Sequence, residues 1–263
     1  MFLSHFQLQT QPFAEHTPVE RLWCDQRMTQ GLTRLRYLVE GGTLGLVSGG
    51  TGLGKSALLR RLLHELRGSA CETCYLNLVR LPALGVLQQL VRRLGETPQW
   101  HKEGLFCQIL ERAAKSDNTL LLVLDEAHLL PPESLIDLRL LTGSAVAAPP
   151  LKLLLAGQDG LLDMLRREGH RDLWDRLAVR YHLHPLSKPQ TRQYLEFQLQ
   201  AAGGSPDVFT AEAKDLLHDY TGGVPRQINN LATACLLSAA ASGTARIDET
   251  VFRSTVHEFH LPS

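Results

Sequence analysis

The stretch that decides the fold of this chain reads Gly49-Gly50-Thr51-Gly52-Leu53-Gly54-Lys55-Ser56 and matches the pattern G-x-x-x-x-G-K-[ST] without a mismatch. The apolar run 43–47 before it predicts a buried strand, and residues 57–63 after it have the spacing of an amphipathic helix. A strand, a glycine-rich loop and a helix start together form an anion site, because the loop N–H groups and the helix dipole act at the same place. We therefore predict a phosphate-binding loop.

The residue types in this loop predict ATP and Mg²⁺ as its ligands. The glycines let backbone N–H groups wrap a phosphate chain, Lys55 reaches the β- and γ-phosphates, and the Ser56 hydroxyl holds Mg²⁺. The whole stretch 49–56 is therefore the predicted nucleotide-binding segment. Residues 52–57 also fit a loose dinucleotide fingerprint, but that alternative leaves Lys55 and Ser56 without a role, so we discard it.

An acidic pair follows a second apolar run and predicts the other half of the site. The run 119–124 is typical of a strand buried on both faces, and Asp125 and Glu126 come directly after it. At the carboxyl end of such a strand, Asp125 is placed to hold the Mg²⁺ shell, and Glu126 to orient and polarise the attacking water. The alternative is an acidic helix cap. Residues 125–128, Asp-Glu-Ala-His, also match a motif found in helicases, but the paired arginine motif of such helicases is missing.

Three further polar residues are candidates for the catalytic site. Gln158 follows the apolar run 151–156 and is expected near the γ-phosphate, with a turn residue as the alternative. Arg176 lies near the predicted sheet edge and can supply positive charge to the γ-phosphate of a neighbouring copy, a role for which Arg180 competes. Arg226 begins a helix and is expected to reach the phosphates. The alternatives are a surface salt bridge for Arg176 or Arg180 and a solvated side chain for Arg226.

The order of predicted elements indicates an α/β core followed by a helical part. Strands separated by helices imply a parallel sheet with helices on both faces. After Pro185 four helical segments follow one another, which predicts a small helical bundle. The expected domains are an N-terminal arm over 1–24, a P-loop core over 25–186 and a helical lid over 187–263.

Composition limits the partners and the compartment. The chain has 263 residues, with 27 Lys and Arg against 27 Asp and Glu, so it has no global field that attracts a polyanion, although a local basic patch stays possible. The N-terminus has no basic segment followed by a long apolar core, and the longest uncharged run, 227–245, is too polar to span a bilayer. We therefore expect a soluble, cytoplasmic protein without a membrane span of its own.

The cysteines predict neither a disulfide framework nor a metal site. Their number, 5, is odd. Cys71 and Cys74 form a single C-x-x-C, and on a strand their side chains point to opposite faces. The expectation is ordinary strand cysteines, with a metal or redox role as the alternative.

Taken together, these motifs resemble the AAA+ ATPases, and more specifically the ExeA-like branch, which includes the TnsC, TniB and MuB transposition ATPases. The resemblance covers nearly the whole chain and includes Phe6, Leu8, Pro12-Phe13, Leu155–Gln158 and Gly222–Arg226. It implies a P-loop (ASCE/AAA+) parallel five-strand sheet flanked by helices, with a C-terminal helical lid subdomain. It also implies ATP-dependent self-assembly, either into a ring or into a filament, with a hexameric or a helical arrangement. The nucleotide sites would then lie between protomers. By matching position it implies a sensor role for Gln158, an in-trans finger for Arg176 and a lid sensor for Arg226.

The resemblance leaves several functions open. Secretion members of this branch carry a membrane helix and a cell-wall-binding domain after the ATPase module, and this chain stops at Ser263 with neither. The expectation is therefore an ATP-hydrolysing ATPase that binds duplex DNA non-specifically and regulates a transposase or targeting protein. The alternatives are an ExeA/GspA-type ATPase that assists secretion-apparatus assembly through a membrane partner, and an ATP-gated scaffold with little turnover, against which Glu126 argues.

The candidate DNA contacts lie in and before one polar loop. They are Arg92, Arg93, Trp100, His101 and Lys102. Lysine and arginine would hold phosphates without reading sequence. The alternative is an ordinary solvated loop.

Overall fold

The structure, a computed structural model, describes residues 2–115, 117–143 and 151–259. The parts of the predicted arm, core and lid that fall on residues 1, 116, 144–150 and 260–263 lie outside the described residues. The chain divides into two compact units. The sheet unit comprises Gln26–Thr51 and Lys55–Leu183, and the helical unit comprises Met1–Asp25, Gly52–Gly54 and His184–Ser263. The predicted domains 1–24, 25–186 and 187–263 remain a prediction.

The sheet contains five strands in the order β2-β3-β4-β1-β5, and every neighbouring pair is parallel. The strands are β1 Leu44–Ser48, β2 Cys71–Asn77, β3 Thr119–Asp125, β4 Leu151–Gly157 and β5 Leu177–His182. The predicted five-strand parallel sheet is therefore confirmed. Because the strands are parallel, the segments that follow β1, β3 and β4 meet at one edge of the sheet.

Helices connect the strands and form most of the helical unit. They are α1 Phe2–His5, α2 Gln26–Glu40, α3 Lys55–Glu65, α4 Ala83–Arg93, α5 Lys102–Ala114, α6 Pro132–Gly143, α7 Asp159–Arg166, α8 Arg171–Asp175, α9 Lys188–Ala201, α10 Ala211–Thr221, α11 Pro225–Ala241 and α12 Glu249–Phe259. Within the described residues, no helix combines the length and the apolar character that a membrane crossing requires.

Burial of the central strands on both faces explains their composition. Every residue of β3 from Leu120 onward is buried, and β4 is buried at all positions except Lys152. The ammonium group of Lys152 donates hydrogen bonds to two carbonyls: that of Leu38, in the last turn of α2, and that of Gly42, just beyond the helix. The Leu38 carbonyl also accepts from the Gly42 amide at 3.2 Å, so the lysine adds a second donor at the end of the helix and connects it to the strand.

The helical unit has its own core, which includes the N-terminal arm. Phe6, Leu8 and Phe13 are buried in one cluster with residues of α9, α10, α11 and α12. A capping box begins α9: the Ser187 hydroxyl accepts from the Gln190 amide, and the Gln190 side chain accepts from the Ser187 amide. This motif pairs N–H groups that a helix start otherwise leaves without partners.

The two strand cysteines lie in apolar surroundings. Cys71 and Cys74 are buried on β2, and neither forms a disulfide. Burial raises the pKa of the Cys74 thiol to about 11, so that thiol stays protonated and unreactive at neutral pH. Among the described residues, no group of three or more His, Cys, Asp or Glu side chains is arranged to hold a metal ion.

We predict that Leu122→Ala, in the centre of β3, lowers the free energy of unfolding by about 3 kcal/mol because it leaves a cavity between two layers of helices. Leu122 is 1% exposed. The matched control is Leu140→Ala on α6, where the leucine is 48% exposed and the expected change is below about 0.5 kcal/mol. Urea unfolding followed by circular dichroism measures both, and equal losses would contradict the burial of β3.

Candidate nucleotide site

The loop between β1 and α3 has the backbone of an anion-binding turn. Gly49, Gly52 and Gly54 have φ angles of 146°, 79° and 101°, which side-chain-bearing residues rarely adopt. A Cβ atom on Gly54 would meet no other atom within 4 Å, so lack of space does not explain the glycine at this position. Its positive φ angle does. The helix α3 begins at Lys55, directly after this turn. The loop therefore offers backbone N–H groups and a helix start to one anion.

The Lys55 side chain lies inside the loop. It is 6% exposed, and its ammonium group donates to the carbonyls of Gly49 at 2.8 Å and Gly50 at 2.9 Å. Both acceptors are neutral carbonyls, and an anion that approaches the buried ammonium group is favoured because the opposite charge offsets its desolvation. This arrangement fits the predicted contact with β- and γ-phosphates.

Asp125 ends β3 and accepts hydrogen bonds from three donors. The Ser56 hydroxyl donates to Oδ2 at 2.8 Å, the Tyr75 hydroxyl donates to the same oxygen at 3.0 Å, and the Glu126 amide donates to Oδ1 at 2.9 Å. The carboxylate is 2% exposed. The adjacent hydroxyl and carboxylate oxygens are the hard ligands that Mg²⁺ prefers, so Ser56 and Asp125 fit the predicted metal site.

Tyr75 is a site residue that the sequence analysis missed. Burial, and then the negative charge of Asp125, raise the pKa of the Tyr75 hydroxyl, so it remains a donor at physiological pH. In the register of the sheet, Asn77 of β2 pairs with Asp125 of β3. Tyr75 lies two residues before Asn77 on β2 and therefore faces the same side of the sheet as Asn77. A tyrosine two residues before the end of the neighbouring strand was the available signal.

Glu126 adopts a left-handed backbone conformation, with φ 56° and ψ 33°. A non-glycine residue in this region is strained by about 1 kcal/mol or more, and the Asp125 side chain and the Leu129 amide hold it there. The Glu126 carboxylate lies 3.4 Å from Nδ1 of His128. Gln158 follows β4 at the N-terminus of α7, and its backbone amide lies 3.5 Å from the same nitrogen. The loop, both acids and Gln158 therefore share the carboxyl edge of the sheet.

The two candidate finger arginines differ in their contacts. Arg180 is held by Trp174: its guanidinium donates to the Trp174 carbonyl at 2.6 Å and lies 4.1 Å from the centre of the indole ring. Arg176 is exposed, and its Nη1 lies beside Gly143, within 2.6 Å of where a Cβ atom would be. Of the two, Arg176 is the side chain that is not fixed by the neighbouring tryptophan.

Arg226 belongs to the helical unit and lies in the first turn of α11. Its backbone amide donates to the carbonyl of Gly52, which the division of the chain assigns to the same unit, at 3.2 Å. Its side chain is exposed. The predicted contact of this side chain with the phosphates remains a prediction.

The five candidate DNA contacts are all exposed, but one of them is already paired. Arg92 and Arg93 lie in the last turn of α4, and Trp100 is 86% exposed. The Lys102 ammonium lies 2.5 Å from the Asp137 carboxylate, which is 2% exposed on α6. A phosphate would have to compete with this buried carboxylate for Lys102. Arg92 and Arg93 are therefore the stronger candidates for a backbone contact.

Comparisons with known proteins agree with this geometry. Residues 38–165 match the AAA domain family. General secretion pathway protein A of Aeromonas hydrophila is 33% identical over 256 residues, which cover 94% of this chain and 46% of that protein. The chain thus spans about half the length of this curated relative.

Solved structures support the fold alone. Cdc6p of Pyrobaculum aerophilum matches with a TM-score of 0.73 and 19% identity, over 94% of this chain and 70% of that one. The Aeropyrum pernix ORC1 protein, solved in complex with DNA, matches with a TM-score of 0.68 and 18% identity, over 94% of this chain and 67% of that one.

The five-strand order, the phosphate loop and the acidic pair after β3 define a P-loop protein of the AAA+ class. Within that class the chain belongs to the ExeA-like branch. This assignment rests on its similarity to general secretion pathway protein A, which extends over nearly all of this chain. The resemblance drawn from the motifs is therefore confirmed.

We predict that Lys55→Ala weakens binding of a non-hydrolysable ATP analogue about ten- to a hundredfold, because a hydrogen bond to a charged group contributes ~1.5–3 kcal/mol. Isothermal titration calorimetry with magnesium present measures the affinity. Arg67→Ala, which removes an exposed cation after the end of α3, is the control and should leave the affinity unchanged. Unchanged affinity in Lys55→Ala would remove the basis of the site.

Proposed function

We propose that this chain binds ATP with Mg²⁺ and hydrolyses it to ADP and phosphate. The observation that carries the proposal is the Asp125 carboxylate, which accepts from Ser56 of the phosphate-loop helix and from the backbone of Glu126. One carboxylate thereby links the group that would hold the metal ion to the acid that would act on water. Both lie next to the loop that holds Lys55.

Each side chain has a distinct part in the proposed reaction. Lys55 would neutralise charge on the β- and γ-phosphates, and Ser56 and Asp125 would hold Mg²⁺, which would supply further positive charge to the phosphates. Glu126 orients the attacking water and accepts its proton. Gln158, at the end of the strand between β3 and β1, holds the γ-phosphate end of the site.

The position of Arg176 supports a role in a neighbouring copy. It directly precedes β5, whose first residue Leu177 pairs with Leu44 at the start of β1 and whose last residue His182 pairs with Ser48 at its end. The five residue-to-residue steps from Leu177 to His182 span about 16 Å, so Arg176 lies at the opposite end of β5 from the phosphate loop. We propose that it completes the site of the next protomer in a ring or filament, through a head-to-tail interface.

Two partner classes remain, and different observations favour them. Similarity to general secretion pathway protein A favours an ATPase that assists assembly of a secretion apparatus through a membrane partner. The exposed Arg92 and Arg93 favour the second candidate, non-specific binding of duplex DNA and regulation of a transposase or targeting protein. In either role we place the chain in the cytoplasm, where ATP is supplied. A scaffold with little turnover is disfavoured, because it gives Glu126 no role.

We predict that Glu126→Gln and Arg176→Ala each lower the ATPase rate by about a hundredfold or more, since one removes the proton acceptor and the other a positive charge in the transition state. An equimolar mixture should recover about a quarter of the wild-type rate, because a quarter of head-to-tail interfaces pair an intact acid with an intact arginine. Phosphate release measures all three rates.

Arg180→Ala is the matched control for that experiment and should retain most of the activity, because Arg180 is already held by Trp174. A mixture as slow as its components would exclude action between copies. A wild-type rate in Glu126→Gln would exclude Glu126 as the catalytic base.

The DNA candidate predicts that duplex DNA stimulates the ATPase at about 50 mM salt and loses this effect by about 200 mM, because phosphate contacts release counterions. Arg92→Ala/Arg93→Ala should reduce the slope of log affinity against log salt by about 2, one unit for each lost phosphate contact. Fluorescence anisotropy with labelled duplex measures the affinity, and Arg67→Ala is the control. No stimulation and no binding would leave the secretion role.

A further inference from the structure

His128 lies between the two groups that the proposed hydrolysis depends on. Its Nδ1 is 3.4 Å from Oε2 of Glu126 and 3.5 Å from the backbone nitrogen of Gln158. The imidazole side chain is 18% exposed. A single ring nitrogen therefore has an acidic oxygen on one side and an N–H donor on the other.

The position of this ring is set by its backbone. A Cβ atom on Gly157 would come within 3.0 Å of the His128 backbone nitrogen, so the last residue of β4 lies directly against it. The short helical turn Ala127–Leu129 carries the histidine, and the Leu129 amide donates to the Glu126 carbonyl at 2.9 Å. The end of β4 and the turn that follows Glu126 are therefore packed together at His128.

The chemistry of Nδ1 allows it to serve one neighbour at a time. A carboxylate only accepts hydrogen bonds and a backbone N–H only donates them. An Nδ1 that carries hydrogen can donate to Glu126, and an Nδ1 with a lone pair can accept from Gln158, but the same atom cannot do both. The two long distances agree with a ring placed between two competing partners.

We propose that His128 is a positioning residue for hydrolysis: it holds the Glu126 carboxylate when Nδ1 donates and releases it when Nδ1 accepts from the Gln158 amide. This inference rests on the proposed ATPase function and adds to it a link between the catalytic base, Glu126, and the end of β4.

The test compares three substitutions at this position in the full chain. His128→Ala should lower kcat about tenfold, as loss of a supporting hydrogen bond behind a catalytic group does, while KM for ATP changes less than about twofold. His128→Asn, whose amide occupies the position of Nδ1, should restore kcat to within about threefold of wild type. His128→Gln, whose amide lies one bond further out, should remain as slow as the alanine variant.

A double-variant cycle separates positioning from a general loss of structure. In the Glu126→Gln background, His128→Ala should lower the residual rate by less than about twofold, because both changes act through one carboxylate. Affinity for a non-hydrolysable ATP analogue should match wild type in every His128 variant. If His128→Ala does not fold, the difference between the Asn and Gln variants decides the question.

The outcomes distinguish this inference from the proposed function. A slow Glu126→Gln variant together with a normal kcat in His128→Ala overturns the inference and leaves the ATPase function intact. Equal kcat values for the Asn and Gln variants, or a loss confined to KM, also overturn it. A wild-type chain that does not hydrolyse ATP overturns both.

Discussion

The candidate site of the sheet unit is organised around one buried carboxylate. Asp125 is 2% exposed, and such a charge is stable only when several donors replace the water that it has lost. Ser56, Tyr75 and Glu126 supply them from three different places in the chain. The hydrogen bond from Ser56 connects the helix after β1 to the end of β3, although β4 lies between these strands.

Within the described residues of the sheet unit, Glu126 is the one non-glycine residue with a positive φ, and it lies at the same edge of the sheet. The phosphate loop uses glycine where φ is positive, which costs little in the folded state. Glu126 is not a glycine and still has a positive φ, so its conformation is retained because neighbouring hydrogen bonds hold it. The Glu126 carboxylate lies 3.4 Å from Nδ1 of His128, whereas Asp125 accepts from Ser56, its partner in the proposed metal site. Two neighbouring acids thus receive different surroundings, and the proposed division of labour between metal binding and water activation follows from that difference.

The parts of the fold that sequence predicted best are those set by local pattern. The apolar runs 119–124 and 151–156 became β3 and β4 with one further residue each, because burial on both faces requires a continuous apolar run. The contacts of Tyr75 with Asp125 and of Lys102 with Asp137 join distant residues. They depend on strand register and helix packing, which no local pattern in a single sequence specifies.

The placement of Arg176 has a consequence for how such a chain would use ATP. Because β5 is an edge strand and Arg176 precedes it, the arginine lies on the border of the sheet and at its amino end. Lys55 and the proposed metal ligands, Ser56 and Asp125, by contrast, lie at the carboxyl end of the inner strands. Under the proposed function, each copy therefore binds a nucleotide by itself but has complete catalytic charge only beside a neighbour. Hydrolysis then occurs only in assembled copies, so that ATP binding and assembly favour each other, and the loss of the γ-phosphate weakens the interface that permitted it.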